Sequence, residues 1–83
     1  MKQVIRNSTQ LGKELSRLRH KQALTQKELG ELVSLRQATI SALENGNPGT
    51  RLQTLFDILS ALNLELSVKE RTVHSKESIE EIF

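Results

Sequence analysis

An arginine, a glutamine and an alanine stand side by side at Arg36-Gln37-Ala38, with Thr39, Ile40 and Ser41 directly after them. Side chains of these types match the edges of DNA bases. A guanidinium forks to the two acceptors of guanine, a carboxamide meets adenine with two hydrogen bonds, and an alanine methyl packs on the methyl of thymine. Such recognition also needs phosphate contacts that fix register, and polar side chains lie on both sides of the run. Catalysis finds no comparable set. His20 and His74 are the only histidines, cysteine is absent, and no Gly-rich loop, HExxH-like spacing or nucleophile turn is present. The chain therefore reads as a non-enzyme with no metal and no cofactor.

These residues need elements to hold them, and the stretch Thr25–Gly46 supplies two. Thr25 with Glu28 spells a capping box, in which hydroxyl and carboxylate each take an amide at the start of a helix. That helix begins at Gln26 and buries Leu29, Leu32 and Val33 at helical spacing. A second runs from Arg36 to Glu44, buries Ala38 or Thr39 with Ile40 and Leu43, and stops at Asn45-Gly46. Two short helices joined by about three residues cross steeply, as in a helix-turn-helix. Gly30, in the middle of the first, lets the second approach its backbone; helix breaking is the rival reading of that residue.

The stretch resembles the lambda-repressor/Cro-like, or XRE-type, helix-turn-helix family. Thr25-Gln26, Leu29, Val33, Gln37, Ile40, Ser41 and Glu44-Asn45-Gly46 all fall on its pattern. Two positions depart from it. Gly30 stands where the family usually has alanine, and Ser34 stands where it commonly has glycine; at positive φ, Ser34 carries about 1 kcal/mol of strain. The resemblance implies that the first residues of the second helix enter the major groove. Base contacts then fall to Arg36, Gln37, Ala38 and Ser41, and phosphate contacts to Gln26, Thr39, Asn47 and Arg51. Arg36 occupies a position where the family more often has a capping serine, and arginine caps poorly. Recognition or phosphate binding explains it; the rival is a surface arginine with Ser34 as the cap. Leu29, Val33, Ile40 and Leu43 read as core, and Glu44 as a pairing or capping acid.

Eighty-three residues make one small domain whose core is marginal alone. No apolar run approaches a membrane span and no signal peptide is evident, which suits a cytoplasmic protein. The net charge of +2 is unevenly spread: residues 1–24 carry six cations against Glu14, a net of +5, while residues 70–83 carry −2. A basic front and an acidic tail suggest two partners, against the plainer reading of two solvated faces. With two phenylalanines and no tyrosine or tryptophan, duplex DNA is favoured over single strands or RNA, which are read by aromatic stacking.

Around the motif, Ser8 or Thr9 caps a first helix with Leu11, Leu15 and Leu18 as its buried stripe, and Lys13, Arg17, Arg19 and Lys21 mostly off it. Thr50 and Gln53 spell a second capping box, opening a keel helix that buries Leu52, Leu55, Phe56, Ile58, Leu59 and Leu62. Leu64, Leu66 and Val68 alternate with polar residues, the period of a strand. That strand pairs with Val4-Ile5 or, as favoured here, with its copy in a second chain. In the tail, Ile79, Ile82 and Phe83 share one helical face that either docks on its own domain or binds a partner.

The expected fold is all-α: four core helices, five with the tail, and one C-terminal strand paired across a dimer. Residues 1–70 form the DNA-binding and dimerisation domain and 71–83 the acidic tail. Within the family the chain is most similar to the HipB-type antitoxins. That resemblance implies a homodimer on a palindromic operator and a HipA-like kinase toxin as protein partner, contacted by the tail. A repressor without a toxin, and an interaction module that never touches DNA, are the alternatives.

Overall fold

Each helix begins and ends for local reasons visible in its terminal residues. The computed structural model describes residues 4–71, in which α1 is Ser8–Lys21, α2 is Gln26–Val33, α3 is Gln37–Glu44 and α4 is Leu52–Ala61. The cap of α1 is Asn7, not Ser8 or Thr9: its side chain accepts the Gln10 amide at 2.8 Å. The α2 capping box forms as read, with Glu28 N–H on Thr25 Oγ1 at 3.0 Å and Thr25 N–H on Glu28 Oε1 at 2.9 Å. The second box does not form. Arg51 takes the N-cap of α4 without a side-chain cap, the Thr50 hydroxyl donates to Asn47 O, and Gln53 reaches Asp57 instead.

All four helices close in one way, with a residue at positive φ and two reversing amide bonds, as in a Schellman motif. The positive-φ residues are Ala23 (58°), Ser34 (57°), Gly46 (84°) and Asn63 (58°). Only glycine adopts this region freely, and asparagine tolerates it. Ser34 thus takes the conformation that the missing glycine implied. Ala23 carries the same strain with no sequence signal. Ser34→Gly and Ala23→Gly are each expected to stabilise the fold by about 0.5–1 kcal/mol, the relief of Cβ strain less the added entropy of the unfolded chain. Thermal melts would check this, and a lowered midpoint in both would refute it.

The core is made by Leu15 of α1, Leu29 of α2, Ile40 and Leu43 of α3, and Ile58, Leu59 and Leu62 of and just after α4. Close approach between α1 and α3 depends on Gly12, where a Cβ would lie 2.5 Å from the carbonyl oxygens of Leu43 and Glu44. At Gly30 a Cβ would lie 2.6 Å from Leu35 O, so close packing, not helix breaking, explains that glycine. Leu32, expected inside, is 62% exposed. The covered stripe of this short helix runs through Leu29, Gly30 and Val33, and Leu32 lies roughly 100° round from its centre. The keel of α4 is narrower than its composition suggests: Ile58 and Leu59 are buried, whereas Leu52 and Phe56, one turn apart, are exposed.

Beyond Asn63 neither helix nor strand forms among the described residues. A strand needs a ladder partner, and none of the described residues supplies one to Leu64–Lys69. Leu64 packs against the core, while Leu66 and Val68 are exposed. Val4 and Ile5 are exposed and pair with no strand among the described residues. Ile79, Ile82 and Phe83 lie outside the described residues. No helix among those described is long and apolar enough to cross a membrane.

Candidate nucleic-acid interface

The exposed end of α3 is where the base-matching residues come together. Arg36 is its N-cap, in extended conformation and with no side-chain cap bond. The Gln37 and Ala38 amides therefore keep their donors open, while Thr39 N–H turns back to Arg36 O at 3.0 Å, and Ser34, closing α2, does not supply the cap. Arg36, Gln37 and Ala38 are exposed in succession at this end. Thr39 and Ser41 are half-buried, and Ser41 Oγ accepts from Asn45 Nδ2 at 3.4 Å, further along the helix. An α-helix presenting its N-terminal turn in this way has the form that enters a major groove end-first.

Behind that end runs a line of polar groups reaching into the core. Arg19, on α1, donates from Nε to Glu44 Oε2 at 2.6 Å and from Nη2 to Glu44 Oε1 at 3.0 Å. Its Nη1 donates to Leu24 O at 2.7 Å. Both side chains of this pair are nearly closed to solvent, at 6% and 7% exposure. Gln26, the first residue of α2, donates from Nε2 to Glu44 Oε1 at 3.1 Å. Gln37 Nε2 lies 3.5 Å from Gln26 Oε1. Four residues from three helices thus link the core to the exposed end of α3.

The electrostatics follow from that geometry. Burial alone would raise the Glu44 carboxyl, but hydrogen bonds from Arg19 and Gln26 and the Arg19 charge outweigh it and hold the group below its ordinary value of 4.5. Arg19 shifts upward, chiefly through its bonds to Glu44. The pair also resolves a helix-dipole problem, since Glu44 ends α3 where an unpaired carboxylate is unfavourable.

The remaining predicted residues are placed less uniformly. Gln26 is half-buried and turned toward Glu44, so a phosphate can meet its backbone amide or its second amide hydrogen. Asn47 accepts the Gly49 amide on Oδ1 at 2.8 Å, which commits that oxygen to the loop. Arg51 is exposed at the uncapped start of α4. Arg19, counted with the basic front by its charge, is withdrawn into the core, and Arg17 is engaged with Glu14 at 2.7 Å. The charge available to a polyanion from residues 1–24 is therefore smaller than the count implies. The spacing did carry a signal for Arg19: Leu11, Leu15 and Arg19 fall at four-residue steps, placing it on the buried stripe, where a cation demands a partner.

Comparison with known proteins agrees with the four-helix fold. Residues 15–69 match the family model described as helix-turn-helix. Antitoxin HipB of Escherichia coli (strain K12) is 37% identical over 79 residues, covering 95% of this chain and 90% of that relative. Among solved structures, a HipB-O4 20mer complex superposes with a TM-score of 0.80 at 35% identity, covering 86% of this chain and 100% of that one. A HipA-HipB-O2-O3 complex gives the same TM-score, 0.80, at 35% identity over 86% of this chain and 100% of that one.

Proposed function

Because the chain belongs to the helix-turn-helix family and, within it, to the HipB-type antitoxins, we propose that it is a DNA-binding antitoxin. It represses its own operon as a homodimer on a palindromic operator, working in the cytoplasm, and binds a HipA-like kinase toxin. The observation that carries the DNA reading is the uncapped, exposed start of α3 with Arg36, Gln37 and Ala38 at its tip. The likeness to HipB in its 20mer and HipA complexes supports the two partners. A duplex of that length holds about two helical turns, enough for half-sites one turn, about 34–36 Å, apart.

In this reading Arg36, Gln37, Ala38 and Ser41 face base edges. The α2 start at Gln26, with Thr39, Asn47 and Arg51, meets phosphates. Leu64, Leu66 and Val68 form a strand only when a second chain supplies its pair. The test is binding of the purified chain to the duplex upstream of its gene, beside a scrambled duplex, at two salt concentrations. Binding two chains per site, weakened steeply by salt through counterion release, is the expected result. No preference over the scrambled duplex would remove the reading.

The roles also separate by mutation. Gln37→Ala is expected to cost about 1–3 kcal/mol on the operator and to relax preference at one base pair, with little change on random DNA. Gln26→Ala is expected to weaken binding to every sequence. Equal losses on operator and random DNA for both variants would show the roles to be wrongly assigned.

A further inference from the structure

The polar line behind α3 has a direction, and the direction is fixed by its buried end. Arg19 has donors only, and two of them go to Glu44. Glu44, ionised beside it, has acceptors only. Gln26 must therefore turn its NH2 toward Glu44, as its Nε2 does at 3.1 Å, which leaves its Oε1 facing outward. Gln37 must in turn offer its own NH2 to that oxygen, across 3.5 Å. What remains on Gln37 is one free N–H and the whole of Oε1, side by side at the exposed tip of α3.

We propose that Glu44, locked by Arg19, is a specificity-determining positioning residue: acting through Gln26, it sets which edge Gln37 presents and so selects adenine over guanine at one operator position. The inference rests on the reading that Gln37 faces a base. Adenine offers the major groove an N6–H donor and an N7 acceptor, the complement of the free Oε1 and N–H of Gln37. Guanine offers two acceptors, O6 and N7, and meets Oε1 with oxygen against oxygen. A carboxamide free to rotate by half a turn could direct both amide hydrogens at guanine. The carboxylate at the core end forbids that turn, because it would set Gln37 Oε1 against Gln26 Oε1.

The experiment measures affinity of the full chain for four duplexes that differ only at the base pair whose identity Gln37→Ala ceases to distinguish. The wild-type chain should prefer adenine to guanine there by about tenfold or more. Glu44→Gln keeps an acceptor for Arg19 but can also donate, so the line loses its fixed direction and the adenine-to-guanine ratio should fall toward one. Gln26→Met keeps the side chain's length while cutting the line; on top of the loss common to all four duplexes that its phosphate contact implies, it should lower the adenine-to-guanine ratio without removing the buried ion pair. A purely structural role for Glu44 would lower affinity for all four duplexes alike and leave the ratio intact. An unchanged ratio in both variants overturns the proposal while leaving Gln37 as a base reader. A ratio that Gln37→Ala also leaves unchanged removes the base contact itself, and the inference with it.

Discussion

Glu44→Ala is expected to destabilise the chain by about 3–5 kcal/mol, a large part of the roughly 5–15 kcal/mol that holds a typical domain together. The effect is not the strength of one ion pair. It is the cost of leaving the Arg19 guanidinium, 6% exposed, without the carboxylate that faces it at 2.6 Å. Leu24 O would still accept one of its hydrogens, but the charge would remain out of water. Removing both partners is a different experiment. Arg19→Met with Glu44→Leu replaces the pair by apolar side chains of similar length, and should restore much of the lost stability. Denaturant melts of the single and double variants would check this, and a double variant as unstable as Glu44→Ala would refute it.

The same pair predicts how stability depends on pH. The folded Glu44 carboxyl lies below its ordinary value of 4.5, so the unfolded chain binds its proton first as acid is added. Its contribution is fully present above about pH 4.5 and is lost as pH falls through the lower, folded value. Glu14 and Glu28 shift in the same direction, through Arg17 and through the Thr25 amide. The difference in acid sensitivity between the wild-type chain and the Arg19→Met/Glu44→Leu variant isolates the buried pair. The variant should lose less stability below that pH, and parallel curves would contradict the assignment.

What could be read from the sequence followed the range of the interactions. The α2 capping box, the end of α3 at Asn45-Gly46 and the close approach at Gly30 are contacts within a few residues, and each was legible from residue type and spacing. Glu44 was legible as an acid needing a partner, because it closes a helix whose dipole opposes it. Its partner was not, since Arg19 lies 25 residues away and charge alone assigned it to the surface. The error at Thr50 was local but competitive: Asn47 offered its hydroxyl another acceptor, and the helix began one residue later. Leu32, Leu52 and Phe56 were read as core by periodicity, which shows that a residue shares an apolar face and not that anything in the same chain covers it.

Replacing Leu66 and Val68 together by lysine is expected to convert the protein from dimer to monomer and to lower operator affinity by about 10²–10⁴, with half-site affinity nearly unchanged. The argument begins from exposure: Val68 is 93%, Leu66 52% and Phe56 43% exposed. Phe56, Leu59, Leu64 and Leu66 line one open groove, beside which the segment from Glu65 to Lys69 makes no backbone hydrogen bond among the described residues, the Leu64 amide being spent on Leu59 O at 2.7 Å. A second copy can supply both a ladder partner and apolar cover in a two-fold pairing. The dimer matters to affinity because the second half-site then binds from an effective concentration set by the first, which multiplies affinity without any new DNA contact. Two lysines on one face of each strand would repel their symmetry mates while leaving half-buried Leu64, and hence the core, in place. The wild-type melting temperature should rise with protein concentration, as for any dimer that unfolds to monomers, and the variant's should not. Sedimentation together with operator and half-site titrations would decide it: a variant that stays dimeric and keeps full operator affinity would place the dimer contact elsewhere.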